Sequence, residues 1–324
     1  MLKKGCSERC FRTAFFFAGP IFNLPEFPKN RTLPLRIPLY LLIPLFIIGG
    51  GLYAIPYQIS LSSMNLMSAV CGVFLFAMVF SLPGAWIQRG HFIPGRKSIA
   101  GVIAVALFGI AANYALSRSL ETSSATLFIV IARTEIVMAM ILGWLFLKEK
   151  VTVRLWIGVV VVMIGVILMK SEGLSIPLDA LIPVVWAFAC AFFFALIQIV
   201  SKAVIHLIDP QVLNVSRLVI ASTLLLGSEE IRNELSGLSY SQWSMLALAA
   251  FFGPFLGRVT YTYSLKYMTI SKAMLLGMLS PVLTIVVEYY LYGTLISPSE
   301  MGGSLLIILG IVWSFLPTLL NKSS

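Results

Sequence analysis

Five ionisable side chains interrupt long apolar stretches of this 324-residue chain: Arg133, Glu135, Arg217, Arg258 and Glu288. A guanidinium presents a planar fork of donors that fits a carboxylate or a phosphate through two parallel bonds. A carboxylate in the same space suits an amine or carries a proton. In an apolar medium each such charge costs at least about 2.5 to 3.5 kcal/mol, so each must pair or face water. Arg133 and Glu135 lie two residues apart, roughly 200° around a regular helix, which points one into a cavity and the other toward a neighbouring helix. An internal pairing, such as Arg133 with Glu288, is the alternative to contact with a substrate. Asn113, Tyr114, Gln198 and Tyr261 add hydrogen-bonding groups that either hold a substrate or join helices, the latter contributing about 0.6 kcal/mol each.

Other chemistry finds little support. The two histidines, His91 and His206, fall near loops, and neither a His-Glu-x-x-His nor a Gly-x-Ser-x-Gly pattern is present. The four cysteines, Cys6, Cys10, Cys71 and Cys190, form no Cys-x-x-Cys pair, so they read as reduced bystanders rather than metal ligands. Without a phosphate-binding loop, any driving energy comes from a gradient or an exchange. The expectation is a protein without cofactor, metal or catalytic residues.

The elements that must position these residues follow from composition. The chain is 59% hydrophobic and 11% charged, against roughly 25% charged in a soluble domain. It has too little polar surface to cover its apolar bulk. Ten apolar segments can be counted, about 37–56, 64–87, 99–117, 123–147, 151–169, 178–201, 210–227, 243–264, 272–293 and 300–319. Twenty helical residues span roughly 30 Å, so each can cross a bilayer, the seventh near the short limit. Alternating patterns of a membrane barrel are absent. The reading is an all-α polytopic membrane protein of ten transmembrane helices. With the amino terminus inside, 17 of the 23 Lys and Arg fall in cytoplasmic segments and only Arg118, Lys170 and Arg232 fall outside. That asymmetry accounts for the net charge of +10 without nucleic acid as a partner, and it places both termini in the cytoplasm. Residues 1–36 read as a cytoplasmic tail, its apolar patch broken by Gly19-Pro20 rather than ending in a cleavage site. Trp86, Trp144, Trp243 and Trp313 read as interface anchors. Prolines 44, 56, 183, 254 and 281, with Gly49-Gly50-Gly51, serve either bending or close packing.

The chain also repeats itself. Ala115-Leu-Ser-Arg-Ser-Leu-Glu-Thr-Ser-Ser-Ala125 parallels Tyr263-Ser-Leu-Lys-Tyr-Met-Thr-Ile-Ser-Lys-Ala273, and the pair Gly158 and Gly165 parallels Gly303 and Gly310. The halves are 37–170 and 178–319, five helices each, and an odd count inserts the second upside down. Inverted halves around a shared central site are a device of secondary transporters.

The segment from Ser123 to Met169, with its Ser-x-Ala start, Leu-Lys-Glu-Lys at 147–150 and paired glycines, resembles the EamA-type domain of the drug/metabolite transporter superfamily. The second half carries the family's Leu-Ser-Pro281-Val and its Gly303/Gly310 pair. Two departures stand out: Tyr292-Gly293-Thr294 lacks the glutamate the family places after that glycine, and Arg133 stands where a proline is expected. The resemblance implies a ten-helix carrier whose cavity is lined mainly by helices one, three, four, six, eight and nine. The expected activity is secondary transport or exchange of a small polar organic metabolite, amino-acid-like or nucleoside-derived and zwitterionic or anionic. A non-transporting sensor and a membrane-embedded enzyme are the alternatives. The expected partners are that substrate, the lipid bilayer, and a proton or counter-substrate, with the protein a monomer or homodimer in a bacterial inner membrane.

Overall fold

The computed structural model describes residues 38–89, 93, 95–120, 128, 131–169, 181–292 and 297–320. The expected tail, Cys6, Cys10, His91, Lys170 and Thr294 lie outside them. Among the described residues the regular structure is entirely helical. In chain order the helices are α1 (Leu39–Leu61), α2 (Leu66–Gln88), α3 (Arg96–Leu120), α4 (Glu135–Leu147), α5 (Val153–Met169), α6 (Leu181–Val204) and α7 (Pro210–Leu225). After these come α8 (Glu229–Ser236), α9 (Tyr240–Ser264), α10 (Ile270–Gly277), α11 (Ser280–Tyr292) and α12 (Pro298–Leu320).

Seven of the described helices or helix pairs are long and apolar enough to cross a membrane, or eight if the bent pair α7 and α8 is one span. Two of the ten expected crossings fall short of that standard. α4 has 13 regular residues and α5 has 17, about 20 and 26 Å at the helical rise. The seventh segment also differs from expectation: the chain turns by 101° after α7 into α8. Its N-cap Ser228 and the acidic pair Glu229 and Glu230 start a polar, two-turn helix that no apolar run announces. Trp86, Trp144 and Trp313 face outward, whereas Trp243 packs edge-on against Phe76.

Helix starts are specified locally. Asn65 and Asp209 cap α2 and α7 by accepting from the amides of Met67 and Gln211, and Pro210 follows Asp209 at the first helical position. Ser239 and Gln242 form a reciprocal capping box at α9.

Packing joins the halves rather than separating them. The principal pairs are α5 with α12, α3 with α6, α2 with α7, α4 with α6, and α1 with both α9 and α11; α9 also meets α2, and α7 meets α3. Exchanging the halves turns this set of pairs into itself. A Cβ on Gly158 would fall 2.8 Å from the Gly310 carbonyl oxygen, and one on Gly165 would fall 2.7 Å from that of Gly303. Backbone therefore meets backbone at both crossings, which is why glycine stands at all four. Because the earlier residue of one helix meets the later residue of the other, α5 and α12 run antiparallel. α2 and α7 do too, with Ser81 on Asn214 and Gly84 on Gln211.

Candidate functional site

The helices surround a cavity of about 410 Å³, within the range of small-molecule sites. It is lined from α1, α3, α4, α6, α9, α10 and α11, joined by Phe74 of α2 and Arg217 of α7. Two backbone irregularities shape it. Around Arg133-Thr134 the fourth segment makes a turn, and α4 restarts at Glu135. A regular helix would have aimed Arg133 and Glu135 apart; the turn breaks that register and both line the cavity. Glu135 thereby occupies the first turn of α4, where the helix dipole favours a carboxylate. The ninth segment breaks likewise between α10 and α11, and there Ser280 opens the second part and lines the cavity.

The second irregularity is the π-helical turn Phe251–Gly257 within α9, centred on Pro254. Proline has no amide hydrogen to give the ladder, and such wide turns favour functional sites. On this turn the Pro254 carbonyl accepts from Asn214 Nδ2 at 3.0 Å. On the same turn Gly257 approaches Gly49 so closely that a Cβ on Gly49 would fall 2.5 Å from the Gly257 nitrogen. α1 thus presses its glycine run against the π turn.

The polar groups form two networks. Gln198 donates through Nε2 to Glu135 Oε1 at 3.1 Å and accepts at Oε1 from Arg258 Nη1 at 3.2 Å. One amide thus bridges the carboxylate and a guanidinium from three different segments. Arg258 Cζ sits 5.9 Å from the centre of the Tyr261 ring, which meets Phe46 edge-on. In the second network Arg217 donates through Nε and Nη2 to Asn214 Oδ1 at 3.0 and 2.7 Å, and Asn214 Nδ2 also reaches Ser81 Oγ at 2.9 Å. Arg258 Nη2 and the Tyr261 hydroxyl are buried without a hydrogen-bond partner.

Of the nine residues singled out in the sequence, Asn113, Arg133, Glu135, Gln198, Arg217, Arg258 and Tyr261 line the cavity. Tyr114 does not: it is exposed, stacks edge-on with Trp186 and accepts from Arg118 Nε at 3.1 Å. One residue past Asn113 is a 100° rotation, which carries it to the opposite side. Glu288 lies eight residues along α11 from Ser280, about 12 Å down the axis, and is not part of the lining. The Arg133–Glu288 pair does not occur among the described ion pairs. Sequence reading missed Ser280, Asn214, and the contributions of Phe46 and Tyr53. Only Asn214 had a signal, its spacing of three residues before Arg217 on one helix face.

Beyond the cavity, the end carrying Lys202 and Lys266 is cross-linked by two buried carboxylates. Asp209 accepts from the Tyr263 hydroxyl at 2.7 Å and from the Gln211 amide at 2.9 Å, with Lys266 Nζ 3.5 Å away. Glu149 receives the Ile270 amide on both oxygens at 3.1 Å and pairs with Lys202 Nζ at 2.9 Å. Lys202 also donates to the Met268 carbonyl at 2.5 Å. Burial pushes the Lys266 ammonium below the ordinary lysine range, against the opposing pull of Asp209. Burial, then Lys266 and Lys202, lower His206 likewise.

No curated protein matches this sequence. One solved structure, described only as a crystal structure of a protein, shares the fold with a TM-score of 0.72 at 13% identity, over 86% of this chain and 96% of the other. The profile of the EamA-like transporter family matches residues 14–171 and again 181–316, two copies that nearly fill the chain. The first copy begins upstream of residue 37, in the stretch read as tail. Two copies of one transporter domain, an apolar all-helical chain and helices long enough to span a bilayer agree with one another: the protein is an integral membrane protein and belongs to the EamA-like transporter family.

Proposed function

We propose that the protein is a secondary carrier or exchanger. It moves a small polar organic molecule, zwitterionic or anionic and amino-acid-like or nucleoside-derived, through the central cavity by alternating access. The observation that carries this reading is the Gln198 bridge between Glu135 and Arg258, set in a cavity to which both family copies contribute. An arginine with a buried unbonded nitrogen beside a carboxylate supplies donors for an anionic group and an acceptor for an amine.

The finer architecture belongs to the same proposal: ten crossings in two inverted five-helix repeats, 37–170 and 178–319. The antiparallel runs of α5 against α12 and of α2 against α7 support inversion, because each pair occupies the same place in its half. α5, with its 17 residues, sits at the lower limit for a crossing, and the fourth segment reaches that length when the helical residues before its turn are included. The lysine-rich end is taken as cytoplasmic, as are both termini, in a bacterial inner membrane. A proton or a counter-substrate couples the cycle, and the carrier works as a monomer or a homodimer.

Counterflow of radiolabelled metabolites into proteoliposomes tests the reading. Saturable uptake is expected in the unaltered protein and at least tenfold slower uptake in Glu135→Gln and Arg258→Gln, about the value of one charge-assisted contact. Ligand-induced thermal stabilisation without counterflow for any solute would instead identify a sensor.

A further inference from the structure

The charges lining the cavity do not cancel. Three guanidiniums, Arg133, Arg217 and Arg258, face a single carboxylate, Glu135. Glu135 reaches Arg258 through Gln198 and stands two residues from Arg133, so it offsets one positive charge of the three and a surplus of two remains. Arg217 and Arg258 both line the cavity, and behind it they meet across a gap too small for a water molecule, whose other walls include Ser201, Asn214 and Thr262. None of the described residues around that gap is acidic. Asn214 gives Arg217 only a neutral oxygen, while Arg258 keeps one buried nitrogen unbonded beside the unbonded Tyr261 hydroxyl. Like charges converging in a medium of low dielectric repel strongly, and buried donors without acceptors are costly. The arrangement lacks a compact acceptor carrying two negative charges.

We propose, resting on the carrier reading above, that the transported molecule is a phosphomonoester whose dianionic head seats between Arg217 and Arg258, with the Tyr261 hydroxyl as a further donor. Its organic body lies against Phe46, Tyr53 and Phe194 on the cavity wall. A head with several acceptor oxygens satisfies both guanidinium forks at once, which a single carboxylate does not.

The full-length protein in nanodiscs of zwitterionic lipid is titrated with matched series: nucleoside monophosphates, sugar phosphates and glycerol 3-phosphate. Each is set against its dephosphorylated form and a phosphodiester counterpart, with succinate as a dianion of separated charges. At least one monoester is expected to bind about tenfold or more tightly than its diester and its neutral form. That advantage shrinks as the pH falls through the second phosphate ionisation near about 6. Any protonation within the cavity acts on monoester and diester alike, so the ratio of their affinities isolates the ionisation of the phosphate. Arg217→Gln and Arg258→Gln are expected to erase the preference for monoester over diester; if either fails to fold, the ligand series on the unaltered protein decides. Equal binding of monoester and diester, tighter binding of succinate than of every monoester, or no binding of any monoester overturns the proposal. Counterflow of an amino acid without monoester binding would sink the phosphate head and leave the carrier standing, whereas monoester binding without any counterflow would do the reverse.

Discussion

Lys266 and Arg118 occupy the same place in the two halves, yet their surroundings differ. Lys266 is buried, 3.5 Å from Asp209 and 4.5 Å from the centre of the Tyr263 ring. Arg118 is exposed and lies over its own helix's Tyr114. The difference comes from their neighbours. Asp209 and Asn65 both cap the helix that opens the second segment of their half and accept from the amide two residues on, but one carries charge and the other does not. Glu149 likewise corresponds to Thr294 at the spacing that relates Gly158 to Gly303. One end is therefore cross-linked by two buried carboxylates. At the other end the acid is Glu234, on the added helix α8, which receives the Asn65 amide at 2.6 Å and the Ser68 hydroxyl. A repeat fixes where the chain turns; single acid-to-neutral exchanges decide which end carries the buried ion pairs.

The sharpest way to break this contrast is Asp209→Ala. It removes an acceptor used by Tyr263 and Gln211 and strands a buried lysine, for an expected loss of about 3 to 5 kcal/mol. Asn65→Ala at the matching cap should cost only about 1 kcal/mol. Thermal unfolding followed by tryptophan fluorescence measures both, and equal losses would erase the distinction between the ends. Glu149→Gln comes next, at about 1 to 3 kcal/mol, since an amide oxygen still accepts from Ile270 but no longer pairs with Lys202. If that cross-link governs access, a cysteine at Ser280 should also react faster with a membrane-impermeant thiol reagent applied from the lysine-rich side in this variant. Lys266→Met is expected to cost about 1 to 3 kcal/mol, because it leaves the buried Asp209 carboxylate without its counter-charge, held only by the Tyr263 hydroxyl and the Gln211 amide. Arg118→Ala should stay within about 0.5 kcal/mol.

The smallest effect is a pH dependence at the cross-linked end. His206 is lowered from its ordinary value of 6.5, so the unfolded chain takes up a proton before the folded one does. Stability is therefore present above about 6.5 and declines as the pH falls toward the folded-state value. The side chain is only partly withdrawn from water, which keeps the change slight, and His206→Gln should flatten the slope of melting temperature against pH between about 7.5 and 5.5.

Much of the architecture was legible because it rests on length and composition: helical class, segment order and the internal repeat all follow from apolar runs and glycine spacing. Seven of nine site residues reach the cavity because charged and amide groups have few tolerable places in an apolar bundle. What escaped depends on departures from regular helix. The turn at Arg133-Thr134 put two side chains on one wall that 100° steps would have separated. The 101° bend after α7 arose from a polar stretch that hydropathy reads as a loop. Tyr114 and Glu288 lie outside the cavity lining by rotation and by depth, which a segment assignment does not resolve. The cross-link at the lysine-rich end was invisible because Asp209 and Glu149 sit at segment ends, where charges usually mean solvent.

No described residue of α5 or α12 lines the cavity wall, and their glycine seam brings the two backbones together with Val162, Ile307 and Ser314 packed along it. This pair is a keel, rigid under shear, with Trp156 and Trp313 on its outer flank. Any rearrangement that admits or releases cargo has to take place around it, so the keel is the natural fixed frame against which the swing of every other helix is measured.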